Sequence, residues 1–433
     1  MSSETYRSVT FGLNMLLARR LGQNYAFVVV AAIFATLLVS AGSRGAPGVL
    51  ILPLEEAFGW SRAAISFAAA VGIFLYGLVG PFAVALMDRF GIRRTLIGAL
   101  ILLSAAMAAT SLVREAWQLA LTIGAMAGLA SGCMAVTLGA FVVNRWFAAH
   151  RGLAMGVLTS ATATGTLIFV PGMAALSQNF GWQSVVFAVA LAAAALIPLI
   201  YVFVPERPVS VGLRRYGADE ADVEPQRPAE GPLQTAIGAL MRAVKTRVFW
   251  YLFATFFICG FTTNGLVGTH LIALCGDNGI PEVQAAGLLA MMGVFDLIGT
   301  TLSGWLTDRY DPRKLLFVYY GFRGLSLIYL PFSDFSFYQL SIFAVFYGLD
   351  WIATVPPTLR LTNEAFGDRS GPIVFGWIVA GHQLGAASAA FFAGTMRSVQ
   401  GDYLMAFVIA GATGIAAAVI ALFIRPQRAA VAA

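Results

Sequence analysis

Six ionisable side chains lie inside long apolar stretches of this sequence, where a charge is costly and therefore usually functional. They are Arg44, His270, Asp296, Arg323, Asp350 and His382. A guanidinium can hold a carboxylate through two parallel hydrogen bonds, a buried carboxyl group can exchange a proton, and an imidazole titrates near neutral pH. These residue types therefore predict a site that binds an organic anion and a second site that carries a proton.

Arg44 is the candidate substrate ligand because it lies in a glycine-rich stretch, 42–48, where a helix can bend or open. It stands about 9 Å beyond the midpoint of its apolar segment at 1.5 Å per residue, so an arginine that snorkels to the interface is the alternative. Further expected substrate contacts are polar side chains of other segments: Tyr76, Thr159, Asn264, His270, His382 and Gln383. For both histidines, a neutral hydrogen-bonding role is an equal alternative.

Three charged residues of the C-terminal half form the expected proton-coupling or ion-pair group. Asp296 is the first choice for proton coupling, with a static structural pair as the alternative, and Asp350 has a similar expected role. Arg323 is expected to pair with Asp296 or Asp350, and a switchable version of this pair would gate transport.

The elements that must position these residues are twelve apolar segments, each near the 20 residues that cross a bilayer. They lie at 25–53, 62–87, 93–113, 117–143, 152–177, 182–204, 248–275, 283–307, 314–332, 336–359, 371–396 and 402–424. A polar, proline-rich stretch divides them, so we predict an N-terminal six-helix bundle at 1–204, a cytoplasmic linker at 205–247 and a C-terminal six-helix bundle at 248–433. Near 356 and 357, tandem prolines are expected to break the tenth helix.

Composition agrees with a membrane protein. Only 11% of the residues are charged and 59% are hydrophobic, whereas soluble domains carry about 25% charged residues. The net charge of +6 does not indicate nucleic acid, because the basic residues recur in short groups between apolar runs. The three cysteines are expected to be small buried hydrophobes. Phosphate loops, nucleophile elbows and metal-binding helix motifs are missing, so neither an enzyme nor a cofactor is expected.

Lysine and arginine predict the orientation. With both termini in the cytoplasm, 22 of the 27 basic residues lie on the cytoplasmic side and 3 on the other. This bias follows the positive-inside rule and predicts a multi-pass protein of the plasma (bacterial inner) membrane.

Two similar charge clusters follow the second segment of each half and indicate internal duplication. An acid at a helix end and nearby arginines can form an ion-pair latch, with plain positive-inside anchoring as the alternative. The expected cytoplasmic gate comprises Asp88, Arg89, Arg93, Asp308, Arg309 and Arg313.

These clusters resemble the signature of the major facilitator superfamily, a Gly four residues before Asp-Arg-x-Gly-x-Arg-Arg. The first copy has Val84 in place of the leading Gly, and the second has Asp311 in place of the second Gly. The resemblance implies an all-α membrane protein with twelve transmembrane helices in two pseudo-symmetric six-helix bundles. It also implies that helices 1, 4, 7 and 10 line a central cavity, that 2, 5, 8 and 11 flank it, and that the others lie outside.

A narrower resemblance is to the monocarboxylate-transporter and oxalate–formate-antiporter branch. It rests on residues 53–62, on 146–156, on Gly181-Trp182 and on Asp296, which resembles the membrane-embedded acid of the monocarboxylate transporters. In that branch an arginine that binds the substrate carboxylate follows four residues later, whereas this chain has Thr300. The resemblance therefore leaves two outcomes: a different substrate, or another arginine that supplies the charge.

Together these features predict a monomeric secondary transporter that works by alternating access and moves a small organic anion, expected to be a monocarboxylate, with proton symport. Exchange of one organic anion for another and efflux of a cationic or lipophilic compound are the alternatives. A non-transporting receptor is the alternative from another class, and it would need a long soluble signalling domain.

Overall fold

The computed structural model describes residues 14–218 and 232–425. Within these ranges, twelve helices are long and apolar enough to cross a membrane, which confirms the predicted number and the all-α class. They are α1 (Asn14–Phe58), α2 (Arg62–Phe90), α3 (Ile92–Thr110), α4 (Ala116–Trp146), α5 (Arg151–Phe180), α6 (Trp182–Phe203), α7 (Arg247–Asp277), α8 (Glu282–Thr307), α9 (Pro312–Phe332), α10 (Phe337–Gly367), α11 (Ser370–Gln400) and α12 (Leu404–Leu422).

Short turns with clear local signals separate the helices. Gly59 ends α1 in the left-handed conformation at φ 66°, which glycine adopts without a steric penalty. The Ser61 hydroxyl then accepts a hydrogen bond from the Ala64 N–H and begins α2, as is usual for serine before a helix. Asp311 begins α9 in the same way.

Because successive helices run in opposite directions, their connections alternate between two ends of the molecule. We call the end that carries the 205–247 connection the linker end, and the end that carries the turn before Arg62 the far end. At the linker end, an additional linker helix (Pro232–Ala243) accepts a hydrogen bond at the Ala236 carbonyl from Trp377 Nε1 of α11, at 3.0 Å. The boundaries 1–204, 205–247 and 248–433 stay a prediction.

In the part of the chain that the structure describes, α4, α7 and α10 are interrupted by segments without regular α-helical geometry. Wide π-helical turns occupy Ala120–Met126 of α4 and Phe261–Val267 of α7, and such turns are frequent at functional sites. In α10, the turn at 351–354 separates Phe337–Asp350 from the helix that begins at Val355. The expected proline break therefore lies just before the prolines. Pro356 and Pro357 occupy the first turn of the helix that begins at Val355. A proline there breaks no helical hydrogen bond, because the N–H groups of a first turn have no partner within the helix.

The two six-helix bundles meet along α1 and α7, α2 and α11, and α5 and α8. Small residues allow close crossings inside each bundle as well. A methyl group at Gly299 of α8 would overlap the Leu349 carbonyl of α10, and one at Gly260 of α7 would overlap the His382 carbonyl of α11. These two crossings hold the central helices of the C-terminal bundle at short distance.

The α8–α10 crossing gives a direct test of this packing. We expect Gly299→Ala to lower the stability of the purified protein by about 1–3 kcal/mol, because the added carbon has no room beside backbone. Gly287→Ala on the same helix is the matched control, since a side-chain carbon there meets nothing within 4 Å. Thermal unfolding in detergent measures both variants, and equal midpoints would contradict the close crossing.

Candidate functional site

Arg44 lies on α1 between two contacts that fix the helix. Its neighbour Ser43 is hydrogen-bonded to Ser131 of α4 at 3.2 Å. A side-chain carbon at Gly45 would come within 2.7 Å of Val170 on α5, so glycine is needed there for α1 to lie close to α5. Helices α4 and α5 therefore set the position of the guanidinium.

The Arg44 guanidinium has an aromatic neighbour and no counter-charge. Its Cζ lies 4.6 Å from the centre of the Tyr76 ring on α2, a cation–π distance. Its Nε is buried and has no hydrogen-bond partner. Within residues 14–218 and 232–425, no hydrogen bond or ion pair joins this side chain to another group. The arrangement leaves a cationic fork ready for an anion.

Gln383 of α11 comes close to this place from the other bundle. It packs directly against Gly77, the residue after Tyr76, so that any side chain at Gly77 would overlap it. Gln383 thus packs on the part of α2 that carries Tyr76, at the α2–α11 interface.

Arg323, in contrast, is completely enclosed by partners. Its Nε donates to Asp350 Oδ2 at 2.6 Å, and a second nitrogen donates to the backbone carbonyls of Asp350 and Trp351. The third, Nη1, donates to the Cys259 sulfur at 3.0 Å. Arg323 is 1% exposed, and each of its three side-chain nitrogens has a partner inside the protein. We call Arg323, Asp350 and Cys259 the buried charge cluster.

Asp296 of α8 adjoins this cluster without a direct pair to the arginine. Its Oδ1 accepts from the Thr300 hydroxyl and from the Ile352 N–H, both at 2.9 Å. Ile352 lies in the break of α10, two residues after Asp350, so the break supplies a free backbone donor. Thr300 stands where the monocarboxylate-transporter branch has an arginine. Its neutral hydroxyl donates a hydrogen bond to the Asp296 carboxylate.

The other predicted substrate contacts are spread out. The His382 ring packs on Phe256 with centres 5.1 Å apart, and its Nδ1 is buried without a partner. Asn264 lies in the wide turn of α7, where its carbonyl accepts from the Thr269 hydroxyl at 2.9 Å. Thr159 is exposed, and its hydroxyl donates to the Met155 carbonyl of its own helix.

His270 lies apart from these residues, at the far end. Its Nδ1 is 3.1 Å from the Tyr403 hydroxyl, and its Nε2 is 2.8 Å from the Ala390 carbonyl. The ring is fully buried. It is therefore a hydrogen-bonded residue in the contact between helices rather than a neighbour of Arg44.

The two predicted gate clusters at the linker end have different local partners. Asp88 pairs with Arg145 of α4 at 3.0 Å, and Arg93 donates to the Val204 carbonyl. In the second copy, Arg313 pairs with Asp311 at 2.6 Å, and this hydrogen-bonded guanidinium lowers the pKa of the Asp311 carboxyl. Asp311, which stands in place of the second glycine of the family signature, thus pairs with Arg313 inside the same cluster.

The remaining gate residues make local aromatic contacts. Arg89 lies over the Phe90 ring and Arg309 over the Trp305 ring. Asp308 ends α8. Among the described residues, no ion pair crosses between the bundles through these clusters.

Sequence comparison decides the family. The family model described as Major Facilitator Superfamily matches residues 32–371 and 271–433. The chain belongs to this superfamily. As a superfamily member it is a multi-pass membrane transporter, and its relatives are transporters rather than enzymes.

Individual relatives are distant but cover most of the chain. An uncharacterized MFS-type transporter, YcxA of Bacillus subtilis, is 25% identical over 82% of this chain and 84% of its own length. Monocarboxylate transporter 13 of Rattus norvegicus is 26% identical over 89% of this chain and 85% of its own length. This superfamily member is therefore related to monocarboxylate transporters at low identity.

Solved structures share the fold. A D-xylose–proton symporter superposes with a TM-score of 0.71 at 15% identity, over 94% of this chain and 99% of its own. A bacterial homologue of the lysosomal transporter Spinster, in an inward-facing and unoccupied conformation, gives a TM-score of 0.69 at 15% identity, over 92% of this chain and 95% of its own.

Sequence reasoning missed several residues that join helices. Cys259 is buried as expected, but its sulfur also accepts a hydrogen bond from Arg323. At the far end, a set of charged and aromatic residues connects the bundles: Glu55, Arg62, Asp277, Arg397 and Tyr403. One signal was present, because Arg62 and Arg397 are two of the three basic residues on the side that the positive-inside rule leaves poor in them.

The buried charge cluster predicts unequal costs for neutralising the two acids. Asp350→Asn leaves the Arg323 charge buried without a counter-charge, and we expect a loss of about 3–5 kcal/mol. Asp296→Asn is the matched control, because its amide oxygen still accepts from Thr300 and Ile352, and we expect a loss of less than about 1 kcal/mol. Thermal unfolding of the purified variants measures both. Equal destabilisation would contradict the assignment of the arginine to Asp350.

Proposed function

We propose that this protein is a secondary active transporter that moves a small organic anion, in the first place a monocarboxylate, by alternating access with proton symport. Arg44 binds the anionic group of the substrate. Asp296 carries the proton. The buried charge cluster holds the C-terminal bundle together around α10.

The observation that carries this proposal is the contrast between the two arginines deep in the membrane helices. Arg323 has a carboxylate and three further acceptors, whereas Arg44 has none among the described residues. Arg44 is half-buried with its Nε fully enclosed, and a guanidinium without a counter-ion among membrane helices is costly. A transporter can accept this cost where the substrate itself supplies the negative charge.

The surroundings of Arg44 favour a small carboxylate. A guanidinium fork matches the two oxygens of a carboxylate, and both hydrogen bonds are charge-assisted. The Tyr76 ring beside it presents an apolar face and a hydroxyl, which suits the short carbon chain or ring of such an acid. Gln383 reaches the same interface from the other bundle, so a substrate bound there would touch both bundles at once.

The surroundings of Asp296 support proton coupling, because few groups donate hydrogen bonds to its carboxylate and these groups are uncharged. Only one of its two oxygens accepts hydrogen bonds from described residues, and both donors are uncharged. A carboxyl group with no bound cation can take up a proton without breaking an ion pair. Asp350 is less suitable, because its protonation would leave Arg323 without a counter-charge.

The orientation belongs to the same proposal. With the linker end in the cytoplasm of a bacterial inner membrane, the 22-to-3 distribution of basic residues follows the positive-inside rule. The far end then faces the outside, and Arg44 exchanges substrate with the cytoplasm when the far end is closed. The protein works as a monomer in this account, because each chain carries both bundles.

One alternative function keeps anion binding at Arg44 but involves no proton transport. The two neutral donors at Asp296 also suit a carboxylate that never titrates, and the protein would then exchange one organic anion for another. Efflux of a cationic compound fits less well, because Arg323 already neutralises Asp350.

Uptake measurements with Arg44 variants test the anion site. We expect Arg44→Gln to reduce the uptake of labelled monocarboxylates into proteoliposomes roughly 100-fold, since about 3 kcal/mol of charge-assisted hydrogen bonding is lost. Arg44→Lys keeps the charge without the fork and should fall in between. Arg114→Gln, an exposed arginine of the far end, is the control. Wild-type uptake of every tested carboxylate by Arg44→Gln would overturn the proposal.

A pH gradient across the same vesicles tests the proton site. We expect Asp296→Asn to lose uphill accumulation driven by the gradient while it keeps counterflow of substrate against substrate, because the site can bind anions but no longer carries a proton. Asp334→Asn in an exposed far-end turn should accumulate substrate like the wild type. If the wild type shows counterflow but its substrate accumulation does not respond to the pH gradient, the protein is an exchanger instead.

A further inference from the structure

The far end is closed by a compact group of charges that belong to both bundles. Arg62 of α2 donates two hydrogen bonds to Asp277 of α7, at 2.7 and 2.6 Å. It is only 4% exposed. Beside this pair, the Ala63 N–H donates to the Ser398 hydroxyl at 3.0 Å. The bidentate pair between Arg62 and Asp277 therefore joins the bundles directly, and we call it the far-end latch.

Each bundle also carries its own counter-charge for the latch. Arg62 donates to Glu55 of α1 at 2.7 Å, and Asp277 accepts from Arg397 of α11 at 2.8 Å. When the bundles separate, Arg62 leaves with Glu55 and Asp277 stays with Arg397. Opening then breaks the Arg62–Asp277 pair and the neutral hydrogen bonds to Ser398 and Tyr403 without leaving an isolated charge, so the latch can open and close reversibly.

His270 is connected to this latch by a chain of hydrogen bonds whose direction is fixed. The Ala390 carbonyl can only accept, so Nε2 carries the ring hydrogen. In the neutral ring, Nδ1 then accepts from the Tyr403 hydroxyl, at 3.1 Å. The same hydroxyl oxygen accepts from Arg62 at 3.3 Å. Within residues 14–218 and 232–425, Tyr403 is thus the residue that links His270 to the arginine of the latch by hydrogen bonds.

A proton added to His270 conflicts with the closed arrangement. Nδ1 would become a donor and would face the hydroxyl oxygen that already receives the Arg62 hydrogen bond. Two cationic groups would then both be within hydrogen-bond distance of one phenol oxygen, at 3.1 and 3.3 Å from it, and would repel each other. The charged and titratable groups around the ring and the latch are Glu55, Arg62, Asp277, Arg397 and Tyr403. Separation of the bundles relieves the conflict, because Arg62 departs with α2.

We propose that His270 is a protonation-sensitive switch of the far-end latch: the neutral ring supports the closed far end, and the protonated ring favours its opening. The switch is distinct from proton coupling at Asp296, and it requires neither a particular substrate nor a particular orientation in the membrane. If the far end faces outside, acid outside would favour the outward-open state.

The α2–α11 contact provides a position to measure opening. Ser66 of α2 is fully buried, and a side-chain carbon at Gly394 of α11 would overlap its hydroxyl. A cysteine at this position is therefore shielded when the far end is closed and reachable when it opens. Asn179→Cys, at an exposed position near the far-end terminus of α5, reports the intrinsic pH dependence of thiol labelling.

The experiment compares maleimide labelling rates of Ser66→Cys and Asn179→Cys in purified protein in nanodiscs, after subtraction of the labelling of the three native cysteines. We expect the ratio of the two rates to rise roughly tenfold between about pH 7.5 and about pH 5.5, the range in which a histidine ring that opening has exposed to water titrates. With His270→Gln added, the ratio should stay at its high-pH value throughout. The same rise in the His270→Gln background, or no rise with His270 present, would overturn the proposal.

Two further backgrounds keep the test decisive if His270→Gln fails to fold. Tyr403→Phe keeps the ring but removes the hydroxyl link, so the ratio should no longer respond to pH. Arg62→Gln removes the latch itself, so the ratio should be high at both pH values. A Ser66→Cys that stays shielded in the Arg62→Gln background would show that this latch does not hold the far end closed.

Discussion

A charge inside a bilayer needs a counter-charge, and this constraint organises the molecule. In the C-terminal bundle, Arg323 is enclosed by Asp350 and by backbone carbonyls that the break in α10 makes available. At the far end, Arg62 is held by two acids from different helices. Arg44 is the exception, with an aromatic ring beside it and no acid among the described residues. The proposed function follows from this exception.

The break in α10 makes it possible to pair the buried charges of the C-terminal bundle. A continuous α-helix satisfies its own backbone groups and offers none to side chains, whereas a break releases both donors and acceptors. Asp350 and Trp351, where the break begins, provide carbonyls for Arg323, and Ile352 provides an N–H for Asp296. The buried charges of α8, α9 and α10 therefore meet at one interruption, which links the proposed proton carrier to the structural ion pair through the backbone.

Much of the fold was predictable from the sequence, because twelve apolar segments and two Asp-Arg clusters are signals that survive in a single chain. Arg44 and Tyr76 stand out in the sequence because membrane-embedded polar residues are few, and their role as substrate contacts stays a prediction. The choice between Asp296 and Asp350 as partner of Arg323 was open, because it depends on which side of α10 faces α9. The local pairing of Arg313 with Asp311 was not foreseen either, since a departure from a family pattern does not reveal its new contact. His270 belongs to α7, one of the helices expected to line the central cavity. Its position along α7 nevertheless places it at the far end. Knowing which helix carries a residue does not tell how deep in the membrane that residue lies.

The central claim is that Arg44 recognises the negative charge of the substrate, and calorimetric binding tests it most directly. The measurement compares a monocarboxylate with its neutral primary amide, on the wild type and on Arg44→Gln. The account predicts that the wild type binds the carboxylate at least about 100-fold more tightly than the amide, and that Arg44→Gln binds the two within about threefold of each other. If Arg44→Gln still prefers the carboxylate as strongly as the wild type does, the anion is recognised elsewhere and the account is wrong.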